Sequence, residues 1–452
     1  MQSSLQDTLS LYTQEYLNGV SHLLTFTDEQ IKSIVEIANT ILKSEGVTFR
    51  HARDFEAAEK LIFHEKLRQI LFSPSSPWTP NIDRLFLTER QQLIFSAFRG
   101  TSPSLNKLFS DEKLVPSIMT QQDEGVFSEV RELLQKIFID IQLQLTEKPL
   151  TMESEHIHME MIIGDFLALF PFLNPPHDSQ INIPIRIGNP KQWSLISYAV
   201  ETIFLTPSWM GSPVTAYGLT PVDKNNHAPP LLLFKGTTYP SDKGFGLSLL
   251  TDLNPFGSIG ASVYALGKEK IQLWFEKNKD LPKAILIGKS LGGMLCDLSV
   301  IDFADQIDMV LTYGTPGFSF GDLQRFYSRF EQAVREGTHF PQIHSFCQKN
   351  DLAPFCDFSA ERGIHYYQVI GSVMRHGVLA HADMYSAHVQ SLILKFDPTQ
   401  KSYKILRIAL TALRKSISLI LFPFIFYIHM ICVGTKQVRN QMTKKHTAES
   451  RL

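Results

Sequence analysis

Cysteine is scarce in this chain. Cys296, Cys347, Cys356 and Cys432 are the only four among 452 residues. They are too few for a disulfide framework, and the absence of any CxxC pair argues against a cysteine-held zinc site. An excess of charge is missing too. Lysine and arginine number 43 against 45 acidic residues, a net charge of −2. That excludes a globally basic chain of the nucleic-acid-binding kind, and no nucleic-acid partner is expected. Charged residues are 19% and hydrophobic residues 44%, which excludes a disordered or collagen-like chain and leaves ample material for a large core. No internal repeat of fixed period is present. Met1 to Phe26 holds no lysine or arginine. Without a basic start and a compact apolar run, no cleavable signal peptide is expected. At roughly 150 residues per domain, the length allows two or three domains.

What the chain does have is a long uncharged stretch near its C-terminus. From Ser416 to Thr435 no residue is charged, while Lys415 and Lys436 bound the run and Arg414, Arg439, Lys444 and Lys445 lie close by. Twenty such residues are about enough to cross a bilayer core as a helix. Pro423 would kink that helix but not forbid it. The expectation is a membrane-associating segment, against the alternative of a buried core helix. Both flanks are basic, so a full span and a kinked helix lying in the membrane plane stay open.

Residues 1–185 read as a mostly helical N-terminal region. Thr27 to Gln30 resembles a capping box, followed by Ile31, Ile34, Val35, Ala38, Ile41 and Leu42 at helical spacing. Asp54 to Phe72 and Phe127 to Leu145 repeat the amphipathic pattern, with a Ser-Pro turn cluster at Ser73 to Pro77 between them. A second break at Leu173 to His177 and the proline-bearing sequence after it suggest a domain boundary at 185/186. Beyond it the rhythm changes. Trp193 to Phe204 looks helical. Short apolar runs at Pro230–Phe234, Ala284–Ile287, Met309–Tyr313, Ile343–Cys347 and His365–Val373 alternate with helical patterns at Ala261–Asn278, Leu291–Phe303 and Asp322–Glu336. That alternation predicts an α/β domain with a mostly parallel sheet over 186–397, followed by a basic and apolar segment over 398–452.

The chemistry concentrates in the second half. Gly288-Lys289-Ser290-Leu291-Gly292, with Gly293 next, follows an apolar run and opens a helical pattern. G-x-S-x-G in that context is a nucleophile elbow. The serine sits on a tight strand-to-helix turn, and small neighbours let the backbone close up around it. Ser290 is the candidate nucleophile, and the backbone N–H of Leu291 would face a developing oxyanion. A serine hydroxyl needs a histidine to take its proton and a carboxylate to orient that histidine. Asp351, in the run Asn350 to Pro354 after a predicted strand, is the candidate acid. The candidate bases follow in VMRHGVLAHADMYSAH: His376, His381 and His388. His376 falls close to the strand end and His388 reaches the next element, so His381 is preferred. Leu233 to Thr238 ends an earlier strand, where a second oxyanion donor belongs; Thr237 is the candidate, through its N–H and its hydroxyl.

Two metal patterns fail. His64-Glu65-Lys66-Leu67-Arg68 begins like a zincin motif but has Arg68 where the second histidine must be. His156 and His158, in Glu155 to Glu160, would point apart on a helix. No metal and no organic cofactor are expected.

Phe234 to Thr237, a lid-like stretch ending in Thr251-Asp252-Leu253, Gly288 to Gly293, Tyr313 to Gly317 (YGTPG) and Asn350 to Pro354 together resemble the class 3, fungal-type lipase family. The resemblance covers roughly residues 190 to 395. It implies an α/β-hydrolase fold, a lipid or acyl-ester substrate, and roles for Ser290, Asp351 and Thr237 at matching positions. Lys289 stands where the family usually has histidine, and Lys235 where it usually has arginine. The expected protein is a membrane-associated serine esterase or lipase whose lid spans Thr238 to Phe256, with Gly244, Gly246 and Pro255 as hinges. Acyl transfer by the same triad, and a non-catalytic membrane adaptor on a degenerate hydrolase fold, are the competing expectations. Protein partners are not indicated.

Overall fold

The computed structural model describes residues 123–147, 149–150, 153–188, 191–237, 245–255, 257–348, 351–370, 392–395, 405–423 and 426–427, with single positions at 36, 104, 107, 108, 398 and 403. The chain divides into two compact units, Met1–Asp83 and Arg84–Leu452. Everything below concerns the second. The predicted helices after Thr27 and over Asp54 to Phe72 lie outside the described residues.

The core is a nine-stranded sheet whose strands lie side by side in chain order. They are β1 (Gln180–Ile187), β2 (Gln192–Phe204), β3 (Thr215–Pro221), β4 (Leu231–Phe234), β5 (Ala284–Lys289), β6 (Ile307–Tyr313), β7 (Gln342–Gln348), β8 (His365–Ile370) and β9 (Leu392–Lys395). The pairings from β4 to β8 are parallel. The first three and the last are antiparallel. Six strands thus run one way, and the expected mostly parallel sheet holds in that sense, with an antiparallel meander added at one side.

Strand order explains the layers. Right-handed crossovers between strands laid down in one direction put every connecting helix on one face. α4 (Ala261–Lys277), α5 (Leu291–Phe303) and α6 (Phe320–Glu336) make those connections. Their apolar side chains pack with Leu232, Phe234, Leu286 and Val310. The alternate residues Leu231, Leu233, Ile285, Ile287, Met309 and Leu311 point the other way, as a strand period of two requires. That second face needs a cover from elsewhere. α1 (Glu124–Glu147) and α2 (Glu153–Leu169) supply it.

The expected boundary at 185/186 is therefore corrected. It would cut β1 and strip α1 and α2 from the apolar face they bury. Trp193 to Phe204 is also corrected, from helix to strand β2. Ile196, Tyr198 and Val200 are buried in alternation, a period of two that the helical reading passed over. β1 was hidden by Pro184, which an edge strand tolerates because one side of its backbone needs no partner. Among the described residues one helix is long and apolar enough to cross a membrane, His156–Leu173, and 83% of it is buried in the fold. Its apolarity serves the core.

Candidate active site

The C-terminal ends of the parallel strands form one edge of the sheet, and the candidate residues gather there. Ser290 follows β5 and precedes α5 with φ +52° and ψ −122°, a conformation most non-glycine residues avoid. Its N–H donates to the Tyr313 carbonyl at 2.8 Å, which continues the β5–β6 ladder through the turn. The surrounding glycines leave no room for side chains. A Cβ on Gly288 would stand 2.2 Å from the Gly292 carbonyl oxygen, and one on Gly293 would stand 2.0 Å from the Thr315 hydroxyl. This is the tight strand-to-helix turn that the motif predicts.

The candidate oxyanion strand closes on this turn backbone to backbone. A Cβ on Gly236 would lie 2.7 Å from the Lys289 carbonyl oxygen, and one on Gly292 would lie 2.3 Å from the Phe234 carbonyl oxygen. The two glycines let the end of β4 pack directly against the turn that carries Ser290. The Thr237 hydroxyl donates to Asp252 Oδ2 at 2.7 Å. Asp252 ends α3 (Phe245–Asp252), whose Leu247, Ser248, Leu250 and Thr251 are buried. Most of the expected lid that is described is thus a docked helix here, tied by Asp252 to Thr237 of the candidate oxyanion strand. Residues 238–244 and Phe256 lie outside the described residues. Burial pushes the Asp252 carboxyl up to about 7; its bond to Thr237 and the charge of Arg414 pull the other way.

Asp351 follows β7 and is buried at 3% exposure. Its carboxylate accepts from the Ala353 N–H at 2.9 Å, and its own N–H donates to the Gln348 carbonyl. This Asx turn fixes the carboxylate two strands from Ser290, at the same edge. Lys289 lies between acids: burial lowers its ammonium from the ordinary value, while Asp165 on α2 and Asp351 act to raise it. Its Nζ has no hydrogen-bond partner among the described residues. This chain thus puts a buried lysine beside the candidate acid. Lys235, also buried, donates to Asn174 Oδ1 at 2.9 Å and lies over the Phe172 ring. It fastens the segment after β4 to the turn before β1.

His376, His381 and His388 lie outside the described residues. The sheet still constrains the segment that carries them. β8 runs parallel to β7, so it ends at the Ser290 edge, and Ile370 pairs with Leu392 of β9. β8 therefore ends, and β9 begins, at the edge where Ser290 and Asp351 stand. That topology does not choose among the three.

Two participants were not singled out as such from sequence. Asp252 was part of the lid-like motif without a role. Arg414 was noted only as a flanking charge, yet it bonds the carboxylate of Asp357, in the loop after Asp351, and donates to the Asn254 carbonyl at 3.4 Å. No local pattern announces either, since both act across long sequence separations. The metal expectations are simple to place. His158 is buried and burial lowers its imidazole to about 3, and His156 Nδ1 accepts from Trp193 Nε1 at 3.0 Å. Among the described residues no group of three or more ligand-type side chains could hold a metal ion. A cavity of about 250 Å³ lined by Ile163, Leu167, Ile185, Leu231 and Met309 lies between α2 and the sheet, toward the other end of these strands. No protein-family model matches the chain, and no characterised protein is significantly similar to it.

Proposed function

We propose that this protein is a serine hydrolase that cleaves acyl esters, a lipase or esterase working at a membrane surface. One observation carries the reading: Ser290 is held at positive φ on a strand-to-helix turn whose neighbours must be glycine. A strained conformation at a side chain that is not glycine marks a position where function outweighs local stability. The resemblance to class 3 lipases in five motifs agrees with it.

In this reading the Ser290 hydroxyl attacks the acyl carbonyl carbon. A histidine from 371–391, His381 by preference, takes the hydroxyl proton and then gives it to the departing alcohol. Asp351 orients that imidazole and balances its charge. The N–H groups of Leu291 and Thr237 hold the oxyanion, with the Thr237 hydroxyl kept in place by Asp252. Water releases the acyl group by the same steps in reverse order. No metal or cofactor has a part.

A fluorophosphonate probe tests the proposal directly. Wild-type protein should be labelled covalently and Ser290→Ala should not. Absence of labelling in folded wild-type protein points to the adaptor reading and overturns this one. Alanine changes at His376, His381 and His388 should then lower acylation by thousands-fold or more at one position only. A large loss at His388 instead of His381 keeps the triad and changes its base.

A further inference from the structure

The uncharged C-terminal run begins inside a helix whose placement is unusual. Residues 405–423 are helical, and Tyr403 precedes them in the same conformation. This helix, α7, is docked along one side. Tyr403, Leu406 and Leu410 pack on Cys347 and Phe355. The Thr411 hydroxyl accepts from the Asp357 N–H at 2.9 Å, and Arg414 pairs with the Asp357 carboxylate. Ser418 is fully buried, and Phe422 rests on the core beneath α4 to α6. Spacings of three and four residues put all of these on one face.

The opposite face should be where charge goes in a water-soluble helix. It carries none. Ile405, Ile408, Ala409, Ala412, Leu413, Ser416, Leu419 and Ile420 are all exposed, Ile405 at 80% and Ile420 at 73%. The charges of the helix are on or beside the docked face, as Arg407, Arg414 and Lys415. The position matters as much as the composition. Asp357 and Asp351 belong to one loop at the Ser290 edge. Exposed Leu352 and Phe358 flank them in sequence, and Phe358 meets exposed Phe320, the first residue of α6, ring against ring at 6.1 Å. Exposed apolar side chains therefore stand both on this loop and along the outer face of α7.

We infer that α7 lies flat in the plane of a membrane, with its outward face in the lipid and the Ser290 edge turned toward the bilayer. Its inner side is held against the protein over residues 403–422, which a membrane-crossing helix could not keep. The partner is a bilayer with anionic headgroups. Lys415 flanks the apolar face, and Lys401, Lys404, Lys436, Arg439, Lys444 and Lys445 bracket the uncharged run in sequence. These cations would meet the headgroups of lipid into whose acyl layer the uncharged face sinks. The geometry rests on the helix itself. Its meaning for catalysis rests on the serine-hydrolase reading, since it would limit the substrate to esters already dissolved in the membrane.

Vesicle co-flotation tests this with the full chain. Wild-type protein should float with phosphatidylcholine vesicles holding about 30% phosphatidylserine, and less with phosphatidylcholine alone. Ile408→Glu/Ile420→Glu alters only exposed side chains, so its melting temperature should be unchanged, and its binding should fall at least roughly tenfold. Ser290→Ala should float like wild type. The double variant should keep activity on p-nitrophenyl butyrate and lose it on an ester embedded in vesicles. Flotation of the double variant equal to wild type overturns the inference. So does a wild-type dimer that the same changes dissociate, because the face then belongs to a second copy. Flotation that behaves as expected in a protein inert toward every ester would leave the membrane geometry standing and remove the hydrolase reading.

Discussion

Holding a serine at φ +52° and ψ −122° costs about 1–3 kcal/mol, which the packing around the turn must over-determine. Glycine has no such penalty at positive φ, although it loses more freedom on folding. Ser290→Gly should therefore be more stable than Ser290→Ala, by about 1 kcal/mol in urea unfolding. Equal stability of the two would mean the turn carries no strain. Asp252 makes a second expectation at this scale. Its folded carboxyl is raised from 3.8 to about 7. Between those values the folded chain keeps a proton that the unfolded chain has released. The contribution of this group to stability is thus whole below about pH 4 and is lost as pH rises through 7. Asp252→Asn has no proton to lose, so its stability should rise relative to wild type over that window, by a swing of about 4 kcal/mol. Denaturant titrations at pH 4 and pH 8 measure the difference, and a difference independent of pH would contradict the buried-carboxyl account.

At the level of elements, legibility followed the kind of signal. The strands β4 to β7 and helices α4 to α6 were readable because each fully buried strand is a short continuous apolar run between amphipathic helices. Ser290, Thr237, Leu291 and Asp351 were placed at strand ends because turn chemistry is local. β1 and β2 were not readable: a proline interrupts one, and the other mixes polar and apolar residues at a spacing close enough to helical to mislead. The role of α1 and α2 was hidden for a different reason. Nothing in their own sequence says which surface they cover. That need is visible only once the sheet leaves one apolar face without crossover helices. Phe138 of α1 and Phe166 of α2 meet edge to face at 6.2 Å, both fully buried. Phe138→Ala should cost about 3–5 kcal/mol in global unfolding, in one transition with the sheet. A separate early transition for α1 and α2 would restore them to a domain of their own.

For the whole molecule, the C-terminal helix α7 is part of the fold, whatever its outer face meets. Asp357 is fully buried and its partner Arg414 is only 10% exposed. Deleting everything after Asp397 would leave that carboxylate without its guanidinium, a change that typically costs 3–5 kcal/mol. It would also bare Cys347 and Phe355 behind the Asp351 loop. A chain cut at 397 should therefore melt lower than full-length protein and lose the proposed esterase activity even on soluble substrates, although every triad candidate precedes the cut. Retention of full activity and melting temperature in the shortened chain would show that the helix is dispensable to the site. The side-by-side order of the strands has a consequence in time. A ribosome delivers α1 and α2 ahead of the sheet, then each strand in the order in which it is placed. No strand has to be threaded between two already paired, and each newcomer finds its neighbour at the growing edge. The long wait falls on α1 and α2, whose apolar faces stand uncovered until the sheet arrives, and that interval is when the nascent chain most needs a chaperone.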